Sequence, residues 1–304
     1  MKITNKHGLP DAFLNFARDD KYTKGKADIS VTTLIDSPRV RLMKDKHHSD
    51  IVSDVVDKVW PLFGTAVHHI LESSKTQENV KIEERLFGQA NEWTLSGAVD
   101  HQEVLDDGTV RITDYKVTSV WSVIFTKDAW AWQQNCYAWL LENDPNCHNA
   151  GRKVSSIRIC AIVRDWSRRK AQMEPEYPKA PVVLIELPLW TPEERAEFVS
   201  YRSALHQEAE INHELTGLMP VCSKEDTWAK PEKWAVKKKT AKRALRVFGT
   251  EVEANEFSDN HADKTFIEHR AGEATRCEGN YCNVAEFCDQ FRGTDLNDHL
   301  NPFG

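Results

Sequence analysis

The clearest pattern along the chain is a pair of short runs, residues 98–105 and 110–116, in which apolar and polar positions alternate on either side of Asp106-Asp107-Gly108. A period of two about an Asp/Gly turn predicts a β-hairpin. Residues 80–86, 155–166 and 181–190 alternate in the same way and are read as further strands, the last two as an antiparallel pair. Elsewhere the period lengthens to that of a helix. Residues 31–35 form a short one, and residues 50–60 a turn or two. A longer helix opens at Pro61 and carries Gly64, His68 and Glu72 one turn apart, with Gly64 expected to let it lie close to the sheet. Another starts near Thr126 and carries Gln133 and Tyr137. At Thr191-Pro192-Glu193-Glu194, a capping threonine, a first-turn proline and a glutamate three residues after the cap begin a helix that runs to about residue 215. Its stripe of Phe198, Tyr201, Leu205 and Ile211 is read as packing. Strands 244–248 and 265–270, with a helix after Thr250 between them, close the pattern. Interleaved strands and helices of this kind indicate an α/β protein. Residues 1–30 read as a polar, loosely held leading segment, residues 31–217 as the core, and residues 218–304 as a smaller basic lobe.

The hairpin carries the candidate chemistry, because it has an aspartate on each arm. A two-residue turn at Asp107-Gly108 would place Asp100 and Asp114 on opposite faces. A three-residue loop with Gly108 in the left-handed conformation pairs Leu105 with Thr109 and therefore Asp100 with Asp114, their β-carbons roughly 5 Å apart. The second register is expected. Lys116 shares the Asp114 face by alternation, so two carboxylates and an ammonium converge where a divalent cation and a phosphate can meet. Hard oxygen donors suit Mg2+ or Mn2+, and an added His68 imidazole tilts the preference to manganese. Lys116 is placed to stabilise charge on phosphate oxygens. Gln133 and Tyr137, one helical turn apart, are placed to hydrogen-bond a phosphate or a base. Glu83 and Glu84 on the 80–86 strand are within the chemistry of a metal ligand, but are read as a solvated face.

Composition changes this picture little: 40% hydrophobic, 29% charged, with a net charge of -7 that does not advertise nucleic-acid binding. No apolar run approaches the ~18 residues of a membrane span, and the N-terminus lacks a signal-peptide pattern, so the expected location is cytoplasmic, in a bacterial or phage-infected host cell. Seven cysteines, an odd number, argue for buried thiols with a metal or redox site over a disulfide framework. Of the tryptophans near the Gln133 helix, Trp130 and Trp139 are read as packing. Trp121 and Trp132 are candidates for stacking on unpaired bases. The segment from Arg164 to Lys170 is basic and is read as a solvated loop within reach of backbone phosphate.

Gly64-x3-His68, Asp100, Asp114-x-Lys116 and Gln133-x3-Tyr137, in that order and at those separations, resemble the RecB-type branch of the PD-(D/E)XK nuclease superfamily. The resemblance spans about residues 30–165. It implies a mixed central sheet flanked by helices, and metal-dependent hydrolysis of DNA phosphodiesters by an exonuclease or end-processing nuclease of recombination or repair. Asp100 and Asp114 would hold the metal with His68, Lys116 would stabilise the transition state, and Gln133 and Tyr137 would position the strand. A recombinase, a single-strand-binding protein or a helicase would be the kind of protein partner. The rival reading is a DNA-binding or scaffold protein that keeps the fold without turnover.

The last part of the chain adds two features. Lys237, Lys238, Lys239, Lys242 and Arg243 lie in a basic run from Lys230 to Arg246 opposed within it by Glu232 alone, and are read as contacts to the DNA backbone. Cys222, Cys277, Cys282 and Cys288 are read as ligands of one inorganic centre, a 4Fe-4S cluster or Zn2+, since their spacing lacks the paired CxxC of a zinc ribbon but does not itself name the metal. Several RecB-type nucleases hold a 4Fe-4S cluster with one distant cysteine before the core and three near the C-terminus. Here the early position, ahead of Pro38-Arg39, is Ser37, so Cys222 would have to supply the fourth thiolate and tie the basic lobe to the core.

Overall fold

The computed structural model describes residues 1–19, 24–73 and 77–293, so residues 294–304 of the expected C-terminal lobe lie outside it. In order, the first part of the chain forms β1 (Lys2–Thr4), α1 (Asp11–Arg18), β2 (Ile29–Ser30), α2 (Val31–Leu34), α3 (Pro38–Lys46) and β3 (Val52–Asp54). A 3-10 turn (Val55–Lys58) leads into α4 (Val59–Glu72), then β4 (Val80–Ala90), β5 (Trp93–Val104), β6 (Val110–Thr118), α5 (Val120–Ile124) and α6 (Asp128–Asn143). β7 (Val154–Val163), α7 (Arg168–Met173), β8 (Val182–Leu187) and α8 (Pro192–Thr216) follow. The remainder forms β9 (Ala229–Lys230), β10 (Lys233–Lys238), β11 (Arg246–Phe248), α9 (Glu251–Asp259), β12 (Thr265–Arg270), β13 (Glu273–Ala274), α10 (Thr275–Glu278), a 3-10 turn (Ala285–Phe287) and α11 (Asp289–Arg292). Two compact units result: residues 1–36 with 49–211, and residues 37–48 with 212–304. The leading residues thus belong to the first unit, where β1 pairs in parallel with β3, and residues 37–48, expected in the core, belong to the second. No helix among the described residues is long and apolar enough to cross a membrane.

The first unit is built on a six-stranded mixed sheet, ordered β2-β5-β6-β7-β8, with β4 on the far edge of β5. β6 and β7 run parallel and the other long neighbours antiparallel. α6 covers it. Its Cys136, Ala138, Leu140 and Leu141 are fully buried with Leu86, Leu95, Ile112 and Ile157 of the strands. Close approach needs the missing side chain at Gly97, where a β-carbon would sit 2.5 Å from the Tyr137 ring. Trp130 and Trp139 are buried in these contacts, as their helical spacing suggests. The start of α8 carries the expected reciprocal cap: Glu194 N–H donates to Thr191 Oγ1, and Thr191 N–H donates to Glu194 Oε2.

The sheet opens where the site will lie. β4 pairs with one edge of β5 along nearly its whole length. On the other edge, β2 pairs with Leu95 and Ser96, and β6 pairs only with His101 to Val104. Residues 97–100 have no ladder partner on that side, so the strands part beside Asp100. The second unit is built differently, from a three-stranded sheet ordered β11-β10-β12 and a pair β9-β13.

Candidate active site and cysteine cavity

The hairpin forms in the three-residue register. Leu105 N–H donates to Thr109 O at 2.8 Å, Gly108 has φ +79°, and the pairs run from Val104↔Val110 to His101↔Thr113. One further step sets Asp100 opposite Asp114. There the backbone ladder gives way to a side chain: Tyr115 N–H donates to Asp100 Oδ2 at 2.8 Å. A second turn sets a second register. Asn91 and Glu92, both at positive φ, form the two-residue turn between β4 and β5, which pairs Ala90 with Trp93, Glu84 with Val99 and Ile82 with His101. The rung between those last two pairs is Glu83 and Asp100, and Glu83 itself has φ +46°. Glu83, Asp100 and Asp114 therefore stand in a row across β4, β5 and β6.

α4 completes the row. His68 Nε2 lies 3.0 Å from Tyr115 O, which registers the helix against β6, and Nδ1 lies 3.4 Å from Glu83 and 3.6 Å from Asp100. One ligand atom from each of His68, Glu83 and Asp100 falls within 4.8 Å of the others. Glu72, one turn on, hydrogen-bonds Glu83. Gly64 has no part in bringing the helix close, since a β-carbon there would meet nothing within 4 Å. Glu83 stays exposed, as a solvated face requires, and its positive φ at the Asp100 rung sets its carboxylate within reach of the site, the alternative the sequence left open.

Electrostatically the row is crowded. Burial, then the Asp114 carboxylate, push the Asp100 carboxyl well above the usual carboxylate range. The hydrogen bond to Glu83 outweighs burial at His68, and with Asp100 pushes the imidazole up to about 9. Burial works against the Lys116 ammonium, but Asp114 outweighs it; Nζ is 2.9 Å from Asp114 Oδ2 and the pKa is raised. Without a metal, His68 and Lys116 thus carry the positive charge that three acids demand. The donor set fits a hard divalent cation, which would relieve the same repulsion.

Gln133 and Tyr137 are both buried: Gln133 Nε2 donates to the Tyr137 hydroxyl at 2.8 Å, and the tyrosine ring packs on Gly97, so the pair braces α6 against β5.

In the second unit, Cys222, Cys277, Cys282 and Cys288 line one cavity of about 410 Å3 together with Arg39 and Met43. Cys222 Sγ is 3.3 Å from Ser37 Oγ. The buried Arg39 donates Nε–H to Cys288 Sγ at 3.3 Å, donates Nη1–H to Pro220 O, and pairs with Asp289. Burial pushes the Cys222 thiol up to about 12, and burial with the neighbouring Cys282 and Cys288 raises Cys277. These are thiols that a bound soft metal would convert to thiolates.

The basic run is split by its own strand pairing. Lys237 pairs with Glu268 at 2.7 Å and Lys238 with Asp263, both across from β10. Lys239, Lys242 and Arg243 are exposed in the connection to β11, with no ion pair among the described residues. Lys237 and Lys238 thus each meet an acid, which leaves Lys239, Lys242 and Arg243 as the cations of this run without an ion pair among the described residues.

The sequence matches the profile of the PD-(D/E)XK nuclease superfamily over residues 26–289. The chain belongs to this superfamily, whose members are typically metal-dependent nucleases acting on DNA. Eleven solved chains are similar to it; one is the crystal structure of SSO0001, at 15% identity and a TM-score of 0.43, covering 64% of this chain and 83% of that one. No curated protein sequence matches it significantly.

Proposed function

We propose that this chain is a divalent-metal-dependent deoxyribonuclease of the RecB-type branch, acting as an exonuclease or end-processing nuclease in recombination or repair. The observation that carries it is the row Glu83-Asp100-Asp114 with Lys116 on the last strand and His68 above it. Asp100, Asp114 and His68 would hold Mg2+ or Mn2+, with Glu83 as a further carboxylate, and the cation would supply Lewis acidity at a phosphate oxygen and activate water for attack. Lys116, fixed by Asp114, offers its ammonium to charge building on the phosphate. Tyr115 N–H orients Asp100, and Tyr115 O orients the His68 ring, which must give up its proton to act as a ligand.

The four cysteines bind a 4Fe-4S cluster in this reading. Tetrahedral zinc holds thiolate sulfurs about 3.8 Å apart, with Zn–S about 2.3 Å. The four cysteines line one cavity of about 410 Å3, room enough for the bulkier centre, and Arg39 N–H is directed at the Cys288 sulfur. Cys222, beside Ser37, takes the position of the missing early cysteine. Lys239, Lys242 and Arg243 contact the DNA backbone, and a recombinase, a single-strand-binding protein or a helicase would deliver the end.

The deciding assay uses anaerobically purified protein with Mn2+ or with EDTA, on end-labelled linear and on circular DNA. Metal-dependent loss of the linear substrate alone establishes exonuclease action. Cleavage of the circle makes it an endonuclease, and tight binding without any cleavage leaves the non-catalytic DNA-binding reading.

A further inference from the structure

Immediately after the catalytic strand, the chain exposes aromatic surface that packing does not use. In α5, Val120 is buried and Val123 turns with it onto Val163, Tyr177 and Trp166. Asp165 Oδ1 accepts the Val120 N–H at 2.7 Å and fixes the helix start. The opposite side presents Trp121 and, at the helix end, Phe125, whose rings lie nearly parallel and offset, with centroids 5.8 Å apart and planes at 10°, yet are 63% and 67% exposed. Two large aromatics one turn apart and mostly in water are costly unless they meet a partner.

A second aromatic site is tied to the same end of β6. Arg164 N–H donates to Thr118 O at 3.0 Å, and its guanidinium lies 4.2 Å over the ring of Trp60, itself 54% exposed. Trp60 is two helical turns before His68 on α4, about 12 Å along the axis. Since His68 is registered on Tyr115 and Arg164 on Thr118, α4 follows β6 from the acids to its C-terminal end. Arg168 and Arg169 begin α7 just beyond, exposed and without an ion pair among the described residues. Flat aromatic faces beside guanidinium groups that lack acidic partners match the chemistry of a nucleic-acid strand with its bases unpaired. Duplex bases are already stacked on each other and offer no free faces.

We propose that Trp121-Phe125 and Trp60-Arg164 form a stacking platform for the unpaired bases of single-stranded DNA flanking the scissile phosphate. This rests on the nuclease reading and adds its substrate class: a single strand, or the frayed end of a duplex. Each stacked base holds the backbone in register with Asp100 and Lys116, without reading sequence.

The test separates binding from turnover. Fluorescence anisotropy of a labelled single-stranded oligonucleotide and of a hairpin-closed duplex is measured in EDTA, with the intact protein. Trp121→Ala/Phe125→Ala is expected to weaken single-strand binding about tenfold, while duplex affinity changes less than about twofold. Trp121→Phe, which keeps a ring, is expected to retain single-strand affinity. On a cleavable single strand with Mn2+, KM rises and kcat holds. Equal losses on both DNAs, or no loss on either, overturn the platform. So does a change in oligomeric state of the double variant, which would make the patch a protein interface. Because affinity is read without cleavage, an inactive wild-type protein would sink the nuclease reading alone.

Discussion

The acid row and the cysteine cavity are both candidate metal sites, and they are assembled in opposite ways. The acids come from three consecutive strands joined by two tight turns, with one helix added, and charged partners hold them without a metal: His68 between Glu83 and Asp100, Lys116 on Asp114. The cysteines come from a segment after α8, the short α10 and the turns that follow it, and are joined by Arg39 of α3. Among the described residues no regular element bridges them, and burial pushes the Cys222 and Cys277 thiols towards the neutral form. The difference is one of what each site costs to keep empty. A row of acids compensated by an imidazolium and an ammonium carries its own counter-charges, whereas four thiols around a cavity would gain a cross-link only from a bound soft metal.

The largest effect that can break this comparison is catalytic. Asp114→Ala or Lys116→Ala is expected to lower cleavage by about a thousandfold, with DNA affinity little changed; each also leaves its partner's charge uncompensated and lowers the melting temperature. Cleavage within about tenfold of wild type by a folded variant would remove the pair from the chemistry. Next in size is loss of the soft centre: Cys282→Ser, or iron removal by chelation, should strip hydrogen-exchange protection from β10 and β12 while β5 and β6 keep theirs. Equal protection with and without metal would make the cavity a plain thiol pocket. An anaerobic absorption spectrum with broad absorbance near ~400 nm and about four irons identifies the centre, and one colourless zinc replaces it.

A smaller effect separates binding from chemistry. Lys239, Lys242 and Arg243 changed to glutamine should flatten the salt dependence of duplex binding by up to about 0.9 log unit per lost phosphate contact. Lys237 and Lys238, already paired, should contribute less; equal slopes would show that those pairs open on DNA. The smallest concerns pH. In metal-free protein the His68 pKa is raised to about 9 from an ordinary 6.5. Its contribution to stability is therefore complete below about pH 6.5 and lost as pH rises through about 9. The raised Asp100 carboxyl acts in the same direction, so the comparison is with His68→Gln, in which the fall in melting temperature between those values should shrink by a few degrees. A fall of the same size would remove His68 from the balance of charge.

Much of this molecule follows from local rules. Register is set by turn length and by which residue adopts positive φ, so a three-residue loop ending in left-handed Gly108 places Asp100 opposite Asp114. The same arithmetic applied to Asn91-Glu92 puts Glu83 at the Asp100 rung, a signal present in the chain but weak, because Asn-Glu is a less telling turn than Asn-Gly. The caps at Ser30, Thr191 and Thr250 mark their helices for the same reason: the bonds they make span three residues. What depends on distant segments could not be reached that way. The burial of Gln133 and Tyr137 follows from α6 lying on Gly97, and the neutralisation of Lys237 and Lys238 from β12 lying beside β10. Cys222 meets Ser37, and Trp121 stays in water, because of which surfaces the whole chain brings together and which it leaves uncovered. Hydrophobic burial has no direction of its own, so the pattern of residues says which faces seek cover and only the packed fold decides what covers them.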